Sequence, residues 1–203
     1  MSANQTPTQR LHRREVTKVL LADRGSLLVI AGLGAPAWDA TDVGDHPLNF
    51  PLWGGMGGAA AIGQGLALAQ PKRRVLVLTG DGEILMGLSS LATIGAARTT
   101  NLSIVVLDNE RYGETGMQET HTARGVDLAA AAKACGFLVT SMVTTMDQVT
   151  NLRGDIHAAQ GPLLAQIKVA PDKLPLVLPP RDGTHLKNRF REALLGASAH
   201  MQR

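Results

Sequence analysis

Short apolar runs recur along the chain, separated by stretches in which apolar residues return every three or four positions. Ser26–Ala31 (SLLVIA), Arg74–Thr79 (RVLVLT), Leu102–Leu107 (LSIVVL), Phe137–Ser141 and Leu163–Val169 are short, rich in Val, Ile and Leu, and mostly bounded by turn formers. Such runs predict buried strands. Helical spacing predicts helices over Arg10–Arg24, Met56–Ala69, Ile84–Arg98, Asp127–Cys135, Thr145–Ala159 and His185–Leu195. Gly25 should end the first of these, and a Thr or Asp should cap the one at Thr145. The Gly/Pro-rich stretch after Ala31, including Asp45–Leu52 (DHPLNFPL), reads as ordered loop, and Pro171–Pro180 as a surface crossing. Residues 1–9 read as a mobile arm and residues 10–203 as one domain. Strand and helix alternate, so the expected fold is α/β: a doubly wound, mainly parallel sheet with helices on both faces. Ligands in that architecture sit beyond the carboxyl ends of strands. The residues after Ala31, Thr79 and Leu107 are therefore the places to look for chemistry.

Composition narrows this further. Hydrophobic residues make up 44% of the 203 positions and aromatics only 3%. The core must be aliphatic, as in parallel sheets covered on both sides. Net charge is +3, with basic clusters at Arg10–Lys18, Lys72–Arg74 and near the C-terminus. Without aromatic platforms these read as solvated surface rather than a nucleic-acid site. Cys135 is the sole cysteine, which excludes an internal disulfide or a cysteine-ligated cluster and fits a reducing compartment. The N-terminus is polar and no apolar run approaches ~20 residues, so the expectation is a cytoplasmic protein without a membrane span.

After the second apolar run comes Gly80-Asp81-Gly82 and then a helix. The glycines let backbone approach a bulky anion, and the helix start offers free N–H groups. Asp81 would repel a phosphate unless a cation lay between them. Alone, the tripeptide reads equally as an Asp-Gly turn. The next run ends in Asp108-Asn109, which puts Asn109 at the same sheet end, one crossover later. The two side chains could share a hard cation such as Mg²⁺, which takes oxygen ligands and keeps phosphate oxygens and water.

Gly-Asp-Gly, followed after a helix and a strand by Asn-x-x-Tyr-Gly, resembles the motif of thiamine-diphosphate enzymes. The phrases PLNFPLWGGMGGAAAIGQGLALA, GDGEILMGLSSLATI and VVLDNERYGETGMQ carry the resemblance. It extends over Gly25 to Val169 and is nearest to the β subunits of sulfopyruvate and phosphonopyruvate decarboxylases. It implies that Asp81, Asn109 and the backbone carbonyl of Arg111 hold Mg²⁺. Gly80, Gly82, Glu83, Tyr112 and Gly113 fall in the diphosphate-binding segments. Gly54 and Met56 would grip the aminopyrimidine ring, with the Met56 side chain bending the cofactor into a V. Two positions depart from the pattern: Glu83 stands where a small residue is expected, and Gly55 replaces a more usual Ser or Thr.

The family also needs a glutamate that activates the cofactor's pyrimidine. None of the six here, at 15, 83, 110, 114, 119 and 192, has the required context. The resemblance therefore implies a 2-oxo acid decarboxylase subunit in a hetero-oligomer, whose partner supplies the pyrimidine-binding domain and the glutamate. His46 and His121 flank the cofactor loops and are candidates for substrate contact or proton transfer. A carboligase of the acetolactate-synthase type, an oxidoreductase subunit and a non-catalytic regulatory subunit are the alternatives. Gly32–Ala37 also fits G-x-G-x-x-A, but no acid follows at the spacing a dinucleotide site requires.

Overall fold

The computed structural model describes residues 10–158 and 160–201; the expected arm at 1–9 lies outside them. The strands are β1 (Leu28–Ala31), β2 (Asn49–Pro51), β3 (Val75–Gly80), β4 (Leu102–Asp108), β5 (Arg111–Tyr112), β6 (Gln118–Glu119), β7 (Val139–Val143) and β8 (Leu163–Lys168). Six of them form one parallel sheet in the order β2-β1-β3-β4-β8-β7, while β5 and β6 make a small antiparallel ribbon. The helices are α1 (Arg13–Leu21), α2 (Ala35–Val43), α3 (Ala59–Ala69), α4 (Asp81–Met86), α5 (Ser89–Ala97), α6 (Leu128–Ala134), α7 (Met146–Ala158) and α8 (Gly183–Leu195). Among the described residues, no helix is long and apolar enough to cross a membrane.

Alternate strand residues feed two cores, as the two-residue period of a strand requires. Val29, Leu76, Leu78, Val105 and Ile167 pack with residues of α1, α2 and α7. Leu28, Ile30, Val77, Ile104 and Val106 pack with α3, α5 and α6. The doubly wound arrangement follows directly, because both sheet faces are apolar and both must be covered.

Several boundaries differ from expectation, each for a local reason. The stretch read as loop after Ala31 contains α2 and β2. Gly34 caps α2 with φ +79, and Pro36 is tolerated in the first turn because the N–H it lacks would have had no helical acceptor. β2 runs parallel to β1 at the sheet edge, where Pro51 removes no needed ladder bond. The helix expected from Met56 begins only at Ala59, since Gly55 and Gly57 take φ +70 and +92 and hold Met56 in a loop. The helix expected over Ile84–Arg98 is two helices, broken at Gly87. Asp127 and Asp182 cap α6 and α8 through their carboxylates.

The break at Gly87 positions the functional end of the molecule. A Cβ there would overlap the Gly57 carbonyl oxygen, so the end of α4 and the Met56 loop touch backbone to backbone. Neither side can yield by a rotamer change. Gly87→Ala is expected to destabilise the fold by about 1–3 kcal/mol, measurable as a lowered thermal unfolding midpoint. An unchanged midpoint would show that this contact does not constrain the loop.

Candidate cofactor site

A cavity of about 360 Å³ opens at the carboxyl ends of the central strands. Leu33 and Gly34 reach it from beyond β1, Gly80 and Asp81 from β3, Asn109 from beyond β4, and Val169 from beyond β8. Parallel strands point all these ends the same way, which is why segments far apart in the chain converge here.

Asp81 is 2% exposed, although the chemistry expected of it is polar. Its Oδ2 accepts a hydrogen bond from Thr120 Oγ1 at 2.5 Å and lies 3.2 Å from Thr122 Oγ1. Burial lifts its carboxyl to about 6; the neighbouring charge of Asp108 adds to the rise and the threonines oppose it. Asp108, fully buried, accepts from Thr122 Oγ1, the Glu110 N–H, Gln166 Nε2 and Lys168 Nζ. Lys168 Nζ lies 2.6 Å from Asp108 and 2.9 Å from Glu110. Burial pulls its pKa down, but these two partners outweigh burial and raise it. Asp108 thus has its own cation. Asp81 pairs with no Lys, Arg or His among the described residues.

Asn109 Oδ1 accepts the Arg111 N–H at 2.9 Å, which closes a tight turn and keeps a second lone pair available. Glu110 between them has φ +62 and is held there by Lys168, Arg10 and the Thr120 N–H to its carbonyl. Asp81, Asn109 and Arg111 all line the cavity. They offer a carboxylate, an amide oxygen and a backbone carbonyl, a donor set suited to a hard divalent cation. Gly80 has no neighbour within 4 Å of a built Cβ, whereas a Cβ on Gly82 would meet the Tyr112 ring at 2.5 Å. Tyr112, Gly113 and Met56 complete this wall.

Glu83 is buried, and its Oε2 accepts from Thr79 Oγ1 at 2.8 Å. Its carboxyl lies against Gly32, where any Cβ would collide with it. Backbone N–H groups of Leu33, Gly57 and Ala59 face it, though Oε1 lacks a well-formed hydrogen bond. Burial raises its pKa, against those contacts. The departure at this position therefore ties the loop after β1 to the start of α3.

Other expected residues lie elsewhere. Gly54 is exposed and outside the cavity lining, on a segment whose Trp53 Nε1 donates to the Pro180 carbonyl at 2.8 Å. His46 and His121 are also outside the lining. His46 Nδ1 accepts the Leu48 N–H at 3.0 Å, in the turn before β2, and His121 is exposed. Thr120, Thr122 and Lys168, which hold Asp81 and Asp108, belong to no motif visible in the sequence. The Gly32–Ala37 run does open a helix after a strand, but β2 ends at Pro51-Leu52 without an acid, against a dinucleotide site.

Residues 37–167 match the family model described as "Thiamine pyrophosphate enzyme, C-terminal TPP binding domain". The sulfopyruvate decarboxylase subunit beta of Methanothermobacter thermautotrophicus is 39% identical over 84% of this chain and 89% of its own length. The phosphonopyruvate decarboxylase of Streptomyces viridochromogenes is 38% identical over 72% of this chain, but only 36% of its own length. The crystal structure of benzoylformate decarboxylase from Polynucleobacter necessarius aligns with a TM-score of 0.71 at 21% identity, over 87% of this chain and 36% of that one.

Two outcomes follow from the geometry. Lys168→Met leaves Asp108 buried and uncompensated and should cost roughly 2–4 kcal/mol of folding stability, below the full buried-pair penalty because the ammonium keeps some solvent contact. Denaturant unfolding measures it, and a loss under about 0.5 kcal/mol, typical of an exposed pair, would contradict the network. His46 supplies a pH test. Burial chiefly, with Arg24 adding, lowers its pKa below the usual 6.5. The unfolded chain then takes up a proton that the folded one refuses, so stability is lost as pH falls below 6.5. The unfolding midpoint of His46→Gln should vary less between about pH 8 and 5 than that of wild type; matching slopes would refute the assignment.

Proposed function

From the premise that this chain belongs to the thiamine pyrophosphate enzymes and is a subunit of a thiamine-diphosphate-dependent decarboxylase, we propose that it holds the diphosphate end of the cofactor through a divalent cation, Mg²⁺. We further propose that it acts on a 2-oxo acid of the sulfopyruvate or phosphonopyruvate kind. The observation that carries this reading is Asp81: a buried carboxylate without a cationic partner among the described residues, sharing one cavity with Asn109 and Arg111. Burying an unpaired charge is strongly unfavourable, and a coordinated metal relieves it.

Asp81, Asn109 and the Arg111 carbonyl would hold the cation. Gly80 leaves backbone open to the cavity, and the N–H groups at the start of α4 would face the diphosphate. Met56, kept out of α3 by its two left-handed glycines, would orient the cofactor ring. When bound, thiamine diphosphate supplies the electron sink on which a 2-oxo acid loses CO₂. The chain's own part is to bind, orient and screen charge.

The activating glutamate would come from a second chain that carries a pyrimidine-binding domain. The glutamates lining the cavity, Glu83 and Glu114, both come from segments beside the diphosphate positions. The sulfopyruvate decarboxylase relative is itself named a subunit and is matched almost end to end, whereas phosphonopyruvate decarboxylase is matched over about a third of its length.

Calorimetric titration of Mg²⁺ and thiamine diphosphate into the chain, with and without a candidate partner, should give binding that Asp81→Ala abolishes. CO₂ release from sulfopyruvate should need both chains. Turnover by this chain alone at ordinary enzyme rates would disprove the partner requirement, and unimpaired binding by Asp81→Ala would disprove the site.

A further inference from the structure

Arg13 is the first residue of α1 and only 3% exposed, yet it forms part of the cavity wall. The rest of the buried face of α1 is Val16, Thr17, Leu20 and Leu21, which pack into the fold as an amphipathic helix should. A buried guanidinium at its start is costly unless its donors are used.

The fold uses them incompletely. Arg13 Nη1 is in ion contact with Asp39 of α2, but the same Asp39 oxygen also takes Arg14 Nε at 3.1 Å. Arg13 Nη1 lacks a properly formed hydrogen bond, and so does Asp39 Oδ2. Two guanidinium groups thus share one buried carboxylate, while Arg14 has a second partner in Asp42 at 3.3 Å. Arg13 Nη1 is committed to Asp39, while its Nε and Nη2 form no hydrogen bond among the described residues and the residue lines the cavity.

What surrounds it is suited to an anion. Gly34, Ala35 and Pro36, the start of the nine-residue α2, form the adjoining wall, and the N–H groups of a helix start lack internal acceptors and carry the positive dipole end. A carboxylate already lies at this place. Glu114, on the exposed turn after Tyr112, reaches back so that its Oε1 would be 2.9 Å from a Cβ on Gly34. Its pKa is raised by burial, and the charge of Arg13 opposes that rise. The free chain fills the position with its own acid.

We propose that Arg13, with the start of α2, binds an oxyanion in this cavity and that Glu114 yields the position to it. The oxyanion is either the terminal phosphate of the cofactor or an acidic group of the 2-oxo acid, both of which match the planar fork of an arginine. This rests on the cavity being the cofactor site.

The test is calorimetry on the full chain with Mg²⁺, using thiamine diphosphate, thiamine monophosphate and inorganic pyrophosphate, together with the KM for sulfopyruvate in the assembled enzyme. Arg13→Met is compared with Arg13→Lys and with the double variant Arg13→Met/Asp39→Asn, which removes both charges and keeps the fold free of an orphaned carboxylate. If the anion is the terminal phosphate, Arg13→Met and the double variant bind thiamine diphosphate and pyrophosphate roughly ten- to a hundredfold more weakly, the span expected for a lost hydrogen bond to a charged group. Thiamine monophosphate then changes little, and Arg13→Lys recovers part of the loss. If it is the substrate, cofactor affinity holds and KM rises by a similar factor at near-constant kcat. A double variant with wild-type unfolding midpoint, cofactor affinity and KM overturns the proposal. Wild-type protein that fails to bind thiamine diphosphate in any assembly instead overturns the reading of the site itself.

Discussion

Two carboxylates, Asp81 and Asp108, are buried at the ends of neighbouring strands and share the hydroxyl of Thr122. Most of what the molecule does at this end follows from how the two differ. Asp108 is neutralised by Lys168, its register partner on β8, and fixed by Gln166, whose own Oε1 accepts the first N–H groups of α6. It belongs to the framework. The side chains that hold Asp81 are hydroxyls, and no Lys, Arg or His pairs with it among the described residues.

The scaffold around this pair is rigid for ordinary reasons. Both sheet faces are covered, the strand interiors are aliphatic, and the loops at the carboxyl ends are held at close backbone contacts and at buried polar groups. Glu83 fastens the loop after β1 to the start of α3, and the Gly57–Gly87 contact fastens α4 to the Met56 loop. The cavity walls therefore come from segments that are each tied to at least one other segment, so the site's shape depends on the packing of the whole upper edge.

Much of this is legible in the order of residues alone. β3, Gly80-Asp81-Gly82 and the helix after it are local, and so is β4 running into Asn109; apolar runs and glycine spacing suffice to find them. α2 escapes because glycine and proline dominate its start, and its helical bonds form only after the turn at Gly34. The break at Gly87 leaves no local trace because its cause, Gly57, lies thirty residues away. Thr120 and Thr122 carry no pattern at all: a hydroxyl reveals its role only when the fold brings a carboxylate to it. Arg13 resembles any of several surface charges, because a basic helix start reads as solvated until α2 packs over it.

The threonine cluster has one more property. Four oxygen–oxygen contacts join Thr120, Thr122, Asp81 and Asp108, at 2.5, 2.9, 3.2 and 2.7 Å. With both carboxylates ionised, two hydroxyls supply two protons, so two of these contacts must face lone pair to lone pair whichever way the hydroxyls turn. The cluster is electron-rich by construction, a small basin with more acceptors than donors. A positive centre beside Asp81 would offset the negative charge that two hydroxyl protons leave uncovered, whichever way they point.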